Sequence, residues 1–359
     1  ADGTFPLLSP DYILAFQFSN WYPLFARFSP KSTIIRPLGK DFKDYLDSDG
    51  VFVPEGSEDM FVSHHLRFRG CDVERSLPDD DDDTHSTLSD GVKFSFPELD
   101  ERIRRAITEY GAVFPKLNFS SPRDASWVLP ASSPLKCTSP ADVYLLLKSS
   151  DFITHDISIE RVFDGCNTND LPAYELELVL RKWYPVDRSR EVRCFVRNDT
   201  LLGITQRDPN FYDFMVNPDT QSTIQSTVHK FWEENIKPNW PLAQKDYIFD
   251  FLLTRDLSRG HILDFSPYAP HTDSLLFTYE DLRELCNAVR EFRRGEVAVS
   301  LPELRVIDSP LHPAALSNVP MHQHNMVPIE ALSLSQGRNI IEFGEVWQDE
   351  VRRAMQDED

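Results

Sequence analysis

The chain has 359 residues, 41% of them apolar and 12% aromatic, enough to bury a sizeable core as one large domain or two ordinary ones. Fifty-eight acidic residues against 37 basic ones give a formal charge of -21, which repels phosphate backbones and anionic membranes and sets nucleic acid aside as a main partner. A small anionic ligand stays open, because it needs only a local cluster of Lys and Arg inside a cleft.

Taken in chain order, the start ADGTFPLLSP has no basic stretch followed by an apolar one, so no secretory or membrane targeting is expected. An aromatic cluster, FQFSNWYPLFARF, fills 16 to 28, and SLPDDDDDTHSTLSDGVK at 76 to 93 reads as a solvated loop, since five adjacent aspartates repel one another. PELDERIRRAITEYG from 97 sets Leu99, Ile103, Ala106 and Ile107 on one helical face before Gly111. VFPKLN follows as a strand. Ser139 and Pro140 start a second helix through ADVYLLLKSS.

Residues 174 to 183, YELELVLRKW, alternate as a strand, and VRCFVR with LLGITQ flank a tight turn at Asn198 and Asp199. A helix is expected at about 220 to 236, stopped by Pro238. YIFDFLLT and HILDFS then form two apolar strands around RDLSRG, and Thr278 with Asp281 begins a helix to Gly295. The stretch 297 to 337, rich in Pro, Ser and His, reads as a wrapping segment or ordered loop, with a short helix at about 344 to 356. Hairpins mixed with helices predict an α+β fold with mostly antiparallel sheets.

Five cysteines, at 71, 137, 166, 194 and 286, are widely spaced and predict reduced thiols in a cytosolic protein. Asn118 and Asn198 each head a glycosylation sequon, which is read as chance. His64 with His65, and His322 with His324, lack helical metal-ligand spacing, so surface or structural roles are expected. No serine or cysteine has the setting of a nucleophile.

The chemistry gathers at two aspartates on apolar strands. A hairpin between 247 and 266 centred on Ser258 sets Asp250 opposite Ser266 and Asp264 opposite Leu252, all on one face. Two such carboxylates suit Mg²⁺, which takes one or two and fills its shell with water and phosphate oxygens. From these residues alone, pairing with arginines or capping a turn is the plainer account of them. Lys116, Arg181, Lys182, Arg193 and Arg207 lie on strands, where each needs an anion, either an internal acid or a polyphosphate. Neither G-x-x-x-x-G-K-[ST] nor G-x-G-x-x-G occurs, so side chains would have to hold any phosphates.

FSNWYP, VFPKLNFSSPRDASW, LLLKSSDFI, ELVLRKW, EVRCFV, LLGITQRD and RGHILDFSPYAPHTDSLLF, in that order from about 16 to 277, resemble the cell division cycle 123 family of eukaryotic assembly chaperones. The resemblance implies an ATP-grasp-like fold of two lobes, 1 to 135 and 136 to 359 with shared elements at 136 to 185, enclosing ATP. It implies a cytoplasmic protein that binds the gamma subunit of eukaryotic translation initiation factor 2 so that the alpha subunit can join.

By the same resemblance Lys116, Asn118 and Arg207 would face the phosphates, with Arg193 among the ATP residues. Glu177, Leu178, Val179, Arg181, Lys182 and Trp183 would edge the adenine, partly through backbone groups. Asp250 and Asp264 would carry Mg²⁺. One position departs from the family's pattern: its strand ends Asp-Phe-Asn-Pro, and here Ser266 supplies a shorter, weaker oxygen ligand. Trp21 and Tyr22 are of the residue types that anchor interfaces, and core burial suits them equally. A monomer is expected, with ATP ordering the cleft rather than being turned over. Two alternatives are an ATP-grasp ligase joining a carboxylate to an amine and a scaffold with a degenerate nucleotide site.

Overall fold

The computed structural model describes residues 4–58, 93–130, 132–166, 171–292 and 301–318. The acidic run, both histidine pairs, Cys71, the helix end at Gly295 and the helix expected at 344 to 356 lie outside these residues. The chain divides into two compact units. One comprises Ala1–Asp208 with Pro218–Arg305, and the other Pro209–Asn217 with the chain from Val306 onward. Among its described residues the second unit has two short helical segments, a 3-10 turn at Asp213–Val216 and a helix at Pro313–Asn318.

The first unit holds two sheets. In the smaller, β1 (Ser32–Ile35), β3 (Leu178–Lys182) and β2 (Val113–Lys116) run in that order, with both pairings antiparallel. Alternation splits its faces. Ile35, Val113, Leu178 and Leu180 enter one core. Three helices pack there: α3 (Lys40–Asp47), α4 (Pro97–Tyr110) and α5 (Pro140–Lys148). Ser139 caps α5 as expected, with Asp142 returning the bond to complete a capping box. The opposite face presents Lys116, Val179 and Arg181.

The larger sheet has the order β7 (Gly260–Pro267), β6 (Tyr247–Leu253), β4 (Glu191–Arg197), β5 (Thr200–Gln206), β8 (Glu303–Arg305). All pairings are antiparallel except that of β8, which runs parallel to β5 inside the stretch read as a wrapping segment. Asn198 and Asp199 form the expected turn, both with positive φ (50° and 58°), the conformation a two-residue hairpin turn requires. Aromatic rings fill one face. Trp21 and Phe25 of α2 (Phe18–Phe25) meet Phe265, Phe231 of α8 (Pro218–Phe231) meets Phe251, and Trp240 stacks on Tyr247. A π-type turn, Trp232–Ile236, continues α8 to the expected stop.

The other face is divided. Phe195 and Ile248 are covered by Phe277 and by Leu282 and Cys286 of α9 (Tyr279–Phe292). Beyond them Glu191, Arg193, Asp250 and Asp264 form a charged area.

The hairpin register differs from expectation. Asp250 pairs with Asp264 and Ile248 with Ser266, two residues away from the expected pairing. The reversal is centred between Asp256 and Leu257, because the Asp256 carboxylate accepts from Thr254 and Ser258 and Leu257 takes a left-handed conformation (φ 57°). Further along, Phe251 pairs with Ile262, so Leu263 is an inserted bulge residue. Asp250, Asp264 and Ser266 still share a face, because directly opposed residues always do.

Candidate functional site

Strands deliver most of the charged side chains, and Arg123 comes from a loop. Arg193 on β4 lies opposite Asp250 on β6, and their contact is bidentate, Nε to Oδ1 at 2.8 Å and Nη2 to Oδ2 at 3.0 Å. Burial opposes charge on Arg193, yet the adjacent Asp250 carboxylate and its hydrogen bonds prevail and raise the pKa. Arg207, one residue past β5, bridges Asp250 Oδ2 (3.2 Å) and Glu191 Oε2 (3.0 Å). Arg123 donates to the same Glu191 oxygen at 3.0 Å.

The smaller sheet supplies the rest. Lys116 is fully buried and pairs with Asp264 Oδ2 at 2.9 Å, while also donating to the Phe119 carbonyl. Arg181 donates through Nη1 to the Leu263 carbonyl at 2.7 Å. That carbonyl is available because the bulge leaves it out of the ladder. The Nη2 of Arg181 is buried and finds no partner. Burial lowers the Arg181 pKa, and the Asp264 charge only partly offsets this.

Five basic side chains (Lys116, Arg123, Arg181, Arg193, Arg207) thus converge on three carboxylates (Glu191, Asp250, Asp264) and the carbonyls of Phe119, Leu263 and Asp273. A local excess of positive charge inside an acidic molecule, with an orphaned guanidinium N–H, is chemistry that suits an oxyanion. Metal chemistry fits less of the donor set. Both Asp250 oxygens are taken by guanidiniums, whereas Asp264, 22% exposed, has room beside Lys116, with Ser266 two residues along the same face. No cluster of three or more metal-ligating side chains occurs among the described residues.

Other expected site residues sit differently. Asn118 donates to the Glu175 carbonyl (2.8 Å) and accepts from the Glu177 N–H (2.9 Å), so its amide joins two backbone segments. The buried Glu177 carboxylate accepts from the Ser19 N–H (3.0 Å) and the Gln17 amide (3.1 Å), holding the start of α2. β3 is the middle strand: Val179 and Arg181 pair with both β1 and β2, and Leu178 pairs with Ile35 of β1. Leu178 enters the core, Val179 is buried, and Lys182 points away from Arg181, its Nζ 5.5 Å from the Tyr184 ring. Trp183 donates from Nε1 to the Pro134 carbonyl.

The partner-facing reading of Trp21 is corrected. Its ring is wholly buried between Phe18 and Phe265, because α2 lies against the aromatic face of the larger sheet. Tyr22 is half-buried and accepts from the Ser32 N–H at 2.9 Å. Arg123 and Glu191 belong to the cluster but carried no periodic signal of their own.

The D123 family model matches residues 21–335. The chain belongs to the D123 family. Two relatives of the chain bear the name translation initiation factor eIF2 assembly protein. That of Xenopus laevis is 41% identical over 285 residues, 78% of this chain and 80% of its own. That of Schizosaccharomyces pombe is 32% identical over 358 residues, 97% and 98% of the two chains. The solved structure of Cdc123 from Schizosaccharomyces pombe is similar with a TM-score of 0.63 at 30% identity, covering 85% of this chain and all of that one. The family resemblance read from the sequence is therefore correct, as is the mixed α and β architecture with antiparallel sheets. No helix among the described residues is long and apolar enough to cross a membrane.

Proposed function

We propose that this D123-family chain is a cytoplasmic ATP-binding assembly chaperone that binds the gamma subunit of eukaryotic translation initiation factor 2 and promotes assembly of the heterotrimer. The assembly role is supported by the names its relatives carry. The ATP claim rests on the excess of cations around Asp250, Asp264 and Glu191, and above all on the unpartnered Nη2 of Arg181. In this reading the two sheets form the walls of an ATP-grasp-like cleft, and Lys116, Arg123, Arg181, Arg193 and Arg207 receive the phosphates. Asp264, with Ser266 nearby, would be the main carboxylate to hold Mg²⁺, and Asp250 would be secondary because Arg193 alone engages both of its oxygens. The ion would supply charge neutralisation at the phosphate oxygens.

A degenerate site that holds the nucleotide without metal is a second reading, favoured by the double arginine contact on Asp250. Thermal denaturation separates the two. ATP with Mg²⁺ is expected to raise the melting temperature of the wild-type chain but not of Lys116→Ala; a shift that persists in EDTA favours the metal-free site. No shift with any nucleotide removes the ATP claim. Capture of the purified gamma subunit, and not of unrelated GTPases, tests the partner.

A further inference from the structure

Arg193 has a third nitrogen, Nη1, which takes no part in its contact with Asp250 and donates instead to the Asp273 carbonyl at 2.8 Å. That carbonyl belongs to the loop between β7 and α9, so the loop sets the angle at which the guanidinium enters the cation cluster. The loop contains no helix or strand and is held by side chains. At its near end the Tyr279 hydroxyl lies 2.9 Å from the Ala269 carbonyl and 2.6 Å from that of Thr272. In its middle Asp273 Oδ1 accepts from the Leu275 N–H at 2.9 Å, fixing a turn in which Leu275 is left-handed (φ 56°). At its far end Arg305 Nη1 donates to the Leu276 carbonyl (3.1 Å) and to Asp281 Oδ2 of α9 (2.6 Å).

Arg305 is the last residue of β8, a three-residue strand at the edge of the larger sheet, and the chain leaves the first unit immediately after it. A strand this short opens more readily than the centre of a sheet, so its seating is a state that ligand binding can shift. We propose that Arg305 is a positioning residue for the nucleotide site. Through Leu276 and the turn at Asp273 it sets Arg193, so seating of β8 on β5 and binding of the phosphates favour each other. Such coupling is reciprocal: what β8 does for the ligand, the ligand does for β8. The inference rests on the ATP reading above.

The test is calorimetric titration of ATP with Mg²⁺ into the full chain, well below its melting temperature. Arg305→Gln is expected to weaken binding about fivefold or more. Glu303→Gln, which breaks the Arg305 contact within β8 (2.8 Å) and leaves those to Leu276 and Asp281, should bind as the wild type does. Asp273→Ala, which loosens the turn without changing β8, should also weaken binding, and Asp273→Asn, which keeps an acceptor for the Leu275 N–H, should not. Hydrogen exchange at the amides of 303–305 should slow when ATP and Mg²⁺ bind the wild type but not when they bind Arg305→Gln, a response that a purely structural arginine would not give. Undiminished affinity in folded Arg305→Gln, or in Asp273→Ala should the first variant not fold, overturns the coupling and leaves the ATP reading standing. Exchange in 303–305 that ignores bound ligand does the same. No binding by the wild-type chain overturns the ATP reading, and this inference with it.

Discussion

Asp250 and Asp264 stand directly opposite each other on β6 and β7, yet they answer to different cations, Asp250 to Arg193 and Arg207 and Asp264 to Lys116. Like charges at opposed positions repel, so flanking cations are what make the pair tolerable. The two halves differ in how they fail. Asp250→Ala leaves Arg193, a group that cannot shed its proton, buried without its carboxylate, and is expected to destabilise by about 3–5 kcal/mol. Asp264→Ala removes a carboxylate that is 22% exposed and leaves Lys116 its bond to the Phe119 carbonyl, so the loss should be smaller. Urea denaturation of both variants checks the order, and equal losses would count against this account of the pair.

Arg181 predicts the opposite sign. Its Nη2 is buried without a partner, and burial already lowers its pKa. Arg181→Met, of similar length and apolar, removes a desolvated cation and should be neutral or stabilising by about 1–3 kcal/mol without ligand. The same change should abolish stabilisation by ATP or inorganic polyphosphate. A less stable variant that keeps its ligand response would show that Arg181 is structural.

Much of this arrangement was legible in the sequence. The strands carrying Lys116, Arg181, Arg193, Asp250 and Asp264 alternate or run apolar between turn formers, and the Asn198 and Asp199 turn announces itself. The hairpin register was not legible, because a bulge at Leu263 has no residue signature and Leu257 is an unusual left-handed residue. Nor was the direction of Trp21, since an aromatic run such as FSNWYPLF is compatible with either a buried or an exposed face. Asp250 finds its arginines within its own sheet, but the Lys116 that answers Asp264 comes from the other sheet and the Arg123 on Glu191 from a loop, which no local spacing encodes. Arg123 is the clearest case, a loop residue whose partner Glu191 is 68 positions away.

In the smaller sheet's core, Asp100 is buried and its pKa is raised, chiefly by burial, against the lowering effects of the Tyr144 hydroxyl at 2.5 Å and the Arg104 charge. A carboxyl with a folded pKa above its unfolded value makes the folded state bind more protons across that window. Stability therefore falls as pH rises from the unfolded toward the folded pKa, and the penalty is complete above it. Asp100→Asn keeps an acceptor for Tyr144 and should be more stable than the parent at neutral pH, with the gain disappearing as pH falls through the window. Melting temperatures of the two proteins from pH 3 to 8 test this, and a gain that grows toward acid would reverse the assignment.

The register that aligns Asp264 with Asp250 is also guarded by a glycine. A Cβ on Gly260, the first residue of β7, would press on the Phe251 ring and lie 2.7 Å from the Leu252 carbonyl oxygen. A Cβ on Gly203 would meet the Phe277 ring first, at 2.8 Å. A ring edge can turn aside more readily than a strand's backbone, so both substitutions overpack but Gly260→Ala is the more disruptive, each in the range of about 1–3 kcal/mol. Because Gly260 lies opposite Leu253 in the same ladder, its displacement should also loosen the Lys116 to Asp264 contact four residues on. Gly260→Ala is therefore expected to lower both stability and ligand-induced stabilisation, while Gly203→Ala lowers stability alone. Denaturation with and without ATP and Mg²⁺ separates them, and an unchanged ligand response in Gly260→Ala would show that the register is held elsewhere.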